Sequence, residues 1–493
     1  MTELPDPSHV EDVRVDTKPY AWLAAIVAVA AGLRFALLGR NSLWFDEAFV
    51  AYGVQKNWRD LMVFLATHDN HPPLYYALVK VWTGIAGTSE ASLRAPSALF
   101  GVGCVVLTYA LMRRFFGTVP ALIASLLVAV SPFEVMAGQD ARMYTLLQLL
   151  TLAATLLLTR PDSPWRRPLY IGAAAAMLYT QYLSVLVIAA HGIWTVWRDR
   201  RRVGAWLVDV GAAGLLFAPW MSLFFDQITR HHGWGWAPHP LLDIGGLFAF
   251  GGTLFGLGSF LYPGLPLSPA QVAAVLPFVG LAALGLRGLG LPALVLTVPI
   301  GTMALLPLVT RASIYPRWYS FVFPFYAMLL TAGVLRLAPR RAAAAALIAA
   351  VVACGLPIMR RYYLDPNYRL WDYRGAASYV RAEVRPHDLL VFIGDKYSPI
   401  PFDYYYGATD DALTLTPTEA SHRRTSFFPH QVAAMAREHP RLWVISVVSW
   451  RTATTRRLVP LLATSYREVS ARTFSGVDVY LFEAERGVRS SQR

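Results

Sequence analysis

Eleven apolar runs, separated by short segments in which arginines collect at every second gap, limit this chain to very few folds. The runs lie near residues 20–39, 94–112, 118–136, 143–159, 168–181, 182–197, 204–224, 270–287, 290–309, 318–335 and 342–358. Backbone N–H and C=O groups in hydrocarbon have no water to bind, so such runs must satisfy one another as membrane-crossing helices. Several, the fifth and sixth above all, are shorter than the ~20 residues a span usually takes. Composition agrees. Of 493 residues, 55% are hydrophobic and 15% charged, where a soluble domain carries about 25% charged residues.

The formal net charge of +13 does not point to nucleic acid, because the basic residues form no single stripe. Arg113–Arg114, Arg160 with Arg166 and Arg167, Arg198 with Arg200–Arg202, Arg287, and Arg336 with Arg340 and Arg341 fall in alternate loops. Positive residues in short loops mark the cytoplasmic face. The N-terminus falls on that side, and an odd number of spans sends the C-terminus outside. Residues 1–20 are polar and acidic, with no basic stretch leading to a cleavage site, so the first run is expected to be a retained span. Cys104 and Cys354 both lie inside apolar runs, which offers neither a disulfide framework nor a thiolate metal site.

The expected fold is a polytopic α-helical membrane protein with a C-terminal extracytoplasmic α/β domain. It divides into a cytoplasmic tail (1–19), a transmembrane domain (20–358) with a long first outer loop (about 40–93), and a soluble domain (359–493). Within the first loop, Pro73–Ala86 is apolar but spans only about 14 residues and is read as an interfacial helix. Counting it as a span would invert every later loop. The run Leu241–Tyr262 is ambiguous between a re-entrant helix and a twelfth span that would move the last domain inside. In that domain, Leu389–Ile393, Leu442–Val448 and Val479–Phe482 read as strands, and Asp372–Val384 and Gln431–Arg437 as helices. No Gly-rich phosphate loop accompanies them, so nucleotide binding is not indicated.

The chemistry concentrates in outer segments. Asp46 and Glu47 are adjacent carboxylates beside a membrane surface, expensive to desolvate unless paired or used. Neighbours on a helix do not share a face, so the two are expected to have different partners. One carboxylate suits a general base for an attacking hydroxyl; the plain alternative is that the pair caps an interfacial helix after Asn41–Ser42. His71, just before Pro72–Pro73, sits where a helix begins and an anion is well placed. Asp140, with Glu134 upstream and Arg142 beside it, can orient a base, hold a divalent cation, or simply pair with Arg142. Arg317 precedes the tenth span, where an arginine either snorkels or grips a phosphate through two parallel hydrogen bonds. Arg34 and Arg94 are lesser candidates for that grip. Tyr397, Phe402, Tyr404, Tyr405 and Tyr406 either stack on sugar rings or serve the soluble domain's core and its membrane contact, and the latter is preferred.

Taken together, these segments resemble the GT-C glycosyltransferase superfamily, in particular the family-39-like branch of protein O-mannosyltransferases and the lipid A aminoarabinose transferase. The resemblance rests on Asp46–Glu47, His71–Leu74, Asp140–Tyr144 and Arg317–Tyr319, in that order and all on the outer side. It implies a polyprenyl-phosphate sugar donor and an inverting single displacement at the anomeric carbon. Asp46, Glu47 and Asp140 would form the acidic catalytic site, and His71, Arg142 and Arg317 would bind the donor phosphate. A divalent metal ion is a candidate cofactor, and a glycan, lipid or protein the acceptor, at the cell membrane. Where the aminoarabinose branch tends to carry Lys with a preceding Glu, this chain has Asn70–His71. Two competing readings are a transporter or lipid flippase of envelope biogenesis, and a scaffold whose soluble domain binds partners. A transporter usually shows repeated halves and polar groups near mid-span, whereas here the charges gather in outer loops.

Overall fold

The computed structural model describes residues 18–160, 163–230, 269–310, 316–337, 340–365, 371–393, 397–409, 412–415, 435–436, 438–447, 460 and 462–485. Leu241–Tyr262 lies outside them, as does most of Gln431–Arg437. A helix occupies each apolar run: α1 (Lys18–Phe35), α5 (Glu90–Phe116), α6 (Thr118–Val130) with α7 (Pro132–Gly138), α8 (Tyr144–Thr159), α9 (Arg166–Leu178), α10 (Val185–Arg198), α11 (Val203–Arg230), α12 (Pro269–Leu286), α13 (Gly290–Thr310), α14 (Phe323–Val334) and α15 (Arg340–Leu364). Among the described residues three helices, Glu90–Phe116, Arg200–Gln227 and Arg341–Leu364, are long and apolar enough to cross a membrane by themselves. The pair α6–α7 passes the same test together.

That pair corrects one expectation. The run 118–136 is not a single helix but bends by 62° at Ser131–Pro132. Pro132 has no N–H to give, and its ring excludes the carbonyl of the preceding turn. The carbonyls of Val128 and Ala129 are left without helical partners, and the guanidinium of Arg34 takes both, each at 3.0 Å. Arg34 is fully buried. It threads between Gly101 and Gly138, where an added Cβ would meet its side chain at 2.8 Å and 3.0 Å. Arg34 thus caps a broken helix rather than offering itself to a phosphate.

Helices α12 and α14 meet backbone to backbone. A Cβ on Gly285 would stand 2.0 Å from the Leu329 carbonyl oxygen, and one on Gly333 would stand 1.9 Å from that of Leu281. Close approach through small residues is how helices associate in lipid, where apolar side chains gain nothing from leaving the solvent. This contact holds α14, and the short 3₁₀ segment Pro316–Val322 that leads into it, against the bundle.

The segment between α1 and α5 folds into α2 (Phe45–Gln55), α3 (Trp58–His68) and α4 (Leu74–Ala86). Asn57 caps α3 by accepting from the Asp60 N–H at 2.9 Å. The loop is tied to the bundle through its backbone. Leu74 N–H donates to the Tyr179 carbonyl at 3.0 Å, and Gln227 at the end of α11 donates to the carbonyls of Leu65 (2.9 Å) and Asp69 (3.0 Å).

Beyond α15 the chain builds α16 (Tyr373–Glu383), α17 (Ile400–Tyr406) and strands β1 (Leu389–Ile393), β2 (Leu413–Leu415), β3 (Arg441–Val447), β4 (Tyr466–Phe474) and β5 (Val477–Ala484). They form a five-stranded sheet in the order β2-β1-β3-β5-β4, with β1 parallel to β2 and β3, and the remaining pairs antiparallel. Successive residues face opposite sides: Phe392 and Trp443 join α16 and α17 in one core, while Val391, Ile393 and Val444 enter another. This layer rests on the segment that links α1 to α2. Ser42 donates to Asp372 at 3.2 Å, Leu43 N–H to the Tyr405 hydroxyl at 2.7 Å, and Arg374 to the Gly39 carbonyl at 3.0 Å. The tyrosine group therefore serves packing. Phe402 is core, Tyr404 donates to the Thr88 carbonyl at 2.6 Å, and Tyr397 packs on Phe49 with ring centres 5.3 Å apart.

Candidate active site

Helix α2 starts at Phe45, which puts Asp46 and Glu47 in its first turn. A helix rotates by about 100° per residue, and the two carboxylates separate accordingly. Glu47 is 1% exposed. Arg94 grips it in a fork, Nε to Oε1 and Nη2 to Oε2, both at 2.6 Å. Glu47 also accepts from the Ala141 N–H (2.9 Å) and, reaching back, from the Trp44 N–H (3.2 Å). Arg94 spends its other donors on the carbonyls of Leu38, Asn41 and Ser42. The capping reading thus holds for Glu47, whose oxygens are filled and do not offer themselves to an acceptor or a metal. Arg94 is committed to it rather than to a phosphate.

Asp46 differs. Its Oδ2 lies 3.6 Å from Arg317 Nη2, and the two side chains keep 24% and 14% of their surface open. Its backbone carbonyl receives Arg142 Nη1 at 3.4 Å. Arg317 comes from the 3₁₀ segment before α14 and lies with its guanidinium carbon 5.0 Å from the Trp44 ring centre.

The segment between α7 and α8 supplies Asp140 and Arg142. Asp140 Oδ1 accepts from the Trp44 indole N–H at 2.9 Å, and the buried Oδ2 has no hydrogen-bond partner. Burial, and after it the nearby Glu47 charge, push the Asp140 carboxyl well above the usual carboxylate range. Arg142, 3% exposed, does not pair with Asp140 in the way the plain reading expects. Its Nη2 lies 3.1 Å from His71 Nε2, and its buried Nε is left without an acceptor.

His71 is held from the other side, by Asp69 Oδ1 at 2.6 Å from its Nδ1. The short contact to the Asp69 carboxylate places a proton on Nδ1, while Arg142 Nη2, 3.1 Å from Nε2 and 3.3 Å from Nδ1, faces the ring without singling out one nitrogen. Asp69 also accepts from the Asn70 N–H (2.6 Å) and the Tyr76 hydroxyl. Burial works to raise the Asp69 carboxyl, but His71 and Arg142 outweigh it and hold it far below the usual range. His71 does not cap α4.

All six predicted positions therefore meet in one region: Asp46, Arg317 and Arg142 directly, His71 through Arg142, Asp140 through Trp44, and Glu47 through Trp44 and Ala141. Sequence reasoning missed Asp69, Trp44 and the role of Arg94. Asp69 carried a usable signal, since an aspartate two residues before a histidine bonds the intervening N–H and the ring together. Among the described residues no group of three His, Cys, Asp or Glu side chains converges as a metal site, and the donor set present does not fit one. What the region offers is an accessible carboxylate rimmed by two arginines and an oriented imidazole.

Comparison with solved structures places the architecture. The fold matches ArnT from Cupriavidus metallidurans in its apo state with a TM-score of 0.61 and 14% identity, covering 96% of this chain and all of that one. The chain shares the fold of that structure over nearly its whole length. The same enzyme bound to undecaprenyl phosphate matches this chain with a TM-score of 0.60, 14% identity, and coverage of 96% and 99%. Residues 70–223 match the model of the dolichyl-phosphate-mannose-protein mannosyltransferase family. YkcB of Bacillus subtilis (strain 168), a candidate mannosyltransferase, is 37% identical over 146 residues, which is 27% of this chain and only 20% of that protein.

Proposed function

We propose that the chain is a membrane glycosyltransferase that moves a sugar from a polyprenyl-phosphate-linked donor to an extracytoplasmic hydroxyl or phosphate, with inversion at the anomeric carbon. The observation that carries this reading is Asp46, an open carboxylate 3.6 Å from Arg317, with Arg142 on its backbone carbonyl and His71 behind Arg142. A hydroxyl acceptor gives its proton to Asp46 as its oxygen bonds the anomeric carbon. The carbon–oxygen bond to the lipid phosphate breaks in the same step, and the electron pair leaves with the phosphate. Arg317, Arg142 and its buried, unfilled Nε meet that growing negative charge. Asp69 holds His71 through Nδ1, and the His71 ring lies against Arg142 Nη2 and helps keep it in place. In this reading the eleven helical runs are eleven spans, residues 1–19 are cytoplasmic, and both the site and the sheet layer of residues 359–493 face outward at the cell membrane. The homologous architecture bound to undecaprenyl phosphate supports the class of donor.

The test is reconstitution in liposomes with undecaprenyl-phosphate-linked mannose and an envelope extract as acceptor, following release of undecaprenyl phosphate. Asp46→Asn is expected to insert normally and to lose at least about a hundredfold in rate, the usual scale for removing a general base. Full activity in the variant overturns the assignment of Asp46. Movement of intact donor across the bilayer without cleavage supports a flippase instead.

A further inference from the structure

We propose that Trp44 is a positioning residue for the acidic site, and that Trp371, at the entry to the C-terminal layer, locks it in place. The inference rests on the transferase reading for its consequence but not for its geometry. The Trp44 indole N–H is the hydrogen bond given to the Asp140 carboxylate, at 2.9 Å. The Arg317 guanidinium lies over the same ring, 5.0 Å from its centre, and Arg317 in turn faces Asp46. One side chain thus sets both the second carboxylate and the cation that meets the first. The ring is only 8% exposed.

Trp44 is held from the C-terminal side. Trp371 stacks on it, with centroids 5.7 Å apart and planes 17° from parallel. Trp371 is fixed by its neighbour Asp372, whose N–H donates to the Ser475 carbonyl at 2.7 Å and whose carboxylate caps α16 at the Gly375 N–H. The two preceding residues of the loop make the same choice. Ser42 donates to Asp372 and Leu43 to Tyr405. Three consecutive residues leading into α2 each end on the sheet layer, so that layer is part of the working site and not an appendage.

The charged groups facing Asp140 are Glu47 and Asp46 from α2, Arg142 from its own segment, and Arg317 from the 3₁₀ turn. The phenols of Tyr75, Tyr144 and Tyr362 complete its surroundings. The indole N–H favours the ionised form of Asp140, so its loss raises the pH at which that carboxyl titrates. The corresponding limb of the pH–rate profile therefore moves upward, whichever form is active.

The experiment compares wild type, Trp44→Phe, Trp371→Ala and Asp46→Asn, all full length in liposomes, with undecaprenyl-phosphate-linked mannose and envelope extract. Trp44→Phe keeps a ring for stacking and removes only the N–H. It is expected to move the Asp140 limb up by about one pH unit, the scale of one hydrogen bond to a charged group. Trp371→Ala is expected to lower the rate about tenfold and to speed hydrogen exchange in peptides covering residues 139–143, where Ala141 N–H is bonded to Glu47. An unchanged pH profile in Trp44→Phe, beside an inactive Asp46→Asn, overturns the inference and leaves the transferase reading standing. Absent transfer in wild type, or full activity in Asp46→Asn, removes the transferase reading. The exchange measurement then decides the positioning claim alone, and unchanged exchange in Trp371→Ala defeats it.

Discussion

Asp46 and Glu47 are neighbours in sequence and opposites in use. Glu47 belongs to a buried ion pair with five further hydrogen bonds on the two partners, to Ala141, Trp44, Leu38, Asn41 and Ser42. Removing Arg94 strands that charge, so Arg94→Ala is expected to destabilise the protein by about 3–5 kcal/mol, read as a lower thermal midpoint in detergent. Arg94→Lys, which cannot reproduce the fork, should recover only part of it. Asp140 works in the opposite sense. Its folded pKa is raised above the unfolded value of about 4, so its contribution to stability is fully present below pH ~4 and is lost as pH rises towards the folded value. Asp140→Asn stays neutral, and its thermal midpoint should gain on wild type progressively from pH ~4 upward. A constant difference across that range would contradict the raised titration. Asp69 is depressed, so the stability it confers is complete above pH ~4 and disappears only in stronger acid. The acidic pair and the Asp140–Arg142 segment were legible in the sequence because carboxylates beside apolar runs are costly. Which member of the pair stays open to solvent was not, because that is decided by Arg94, 47 positions away from Glu47.

At the level of elements, the apolar runs announced their helices, and the discrepancies have physical causes. Ser131–Pro132 breaks the third run because the ring removes a donor there, while the residues on either side remain apolar enough to hide it. Helix α3 was not anticipated, since its apolar stretch, residues 61–66, is only six residues long and does not stand out beside runs of membrane length. Strand β4 escaped notice for a related reason. Its burial alternates only weakly and it carries Arg467, Glu468 and Arg472, the charged dress of a sheet edge. The contact of α12 with α14 is invisible without coordinates, yet it makes a sharp prediction. Gly333→Ala drives a methyl group into the Leu281 carbonyl. The helices must separate, at a cost of about 1–3 kcal/mol. Because α14 carries the Arg317 turn, the same variant should also lose transfer activity. Normal stability in Gly333→Ala would show that the helices have room to spare.

Across the whole molecule, the sheet layer and the membrane bundle are joined at the lip of the site rather than by a simple tether. Tyr405 illustrates the coupling. Its hydroxyl is the acceptor for Leu43 N–H, and Tyr405→Phe leaves that donor without it. A loss of about 1–3 kcal/mol is expected, measurable by thermal unfolding of the full chain. The apolar runs conveyed the helices of the bundle, but no pattern in residues 359–493 revealed where that layer rests, since contacts such as Ser42 with Asp372 span 330 positions. The seam has a practical consequence for anyone dividing the protein. Cutting after α15 would strip Ser42, Leu43 and Trp44 of their partners at once, and would bare Trp371 and Tyr405 on the released fragment. The two pieces made separately should be poor proteins, whereas produced together they should find each other again across that aromatic face.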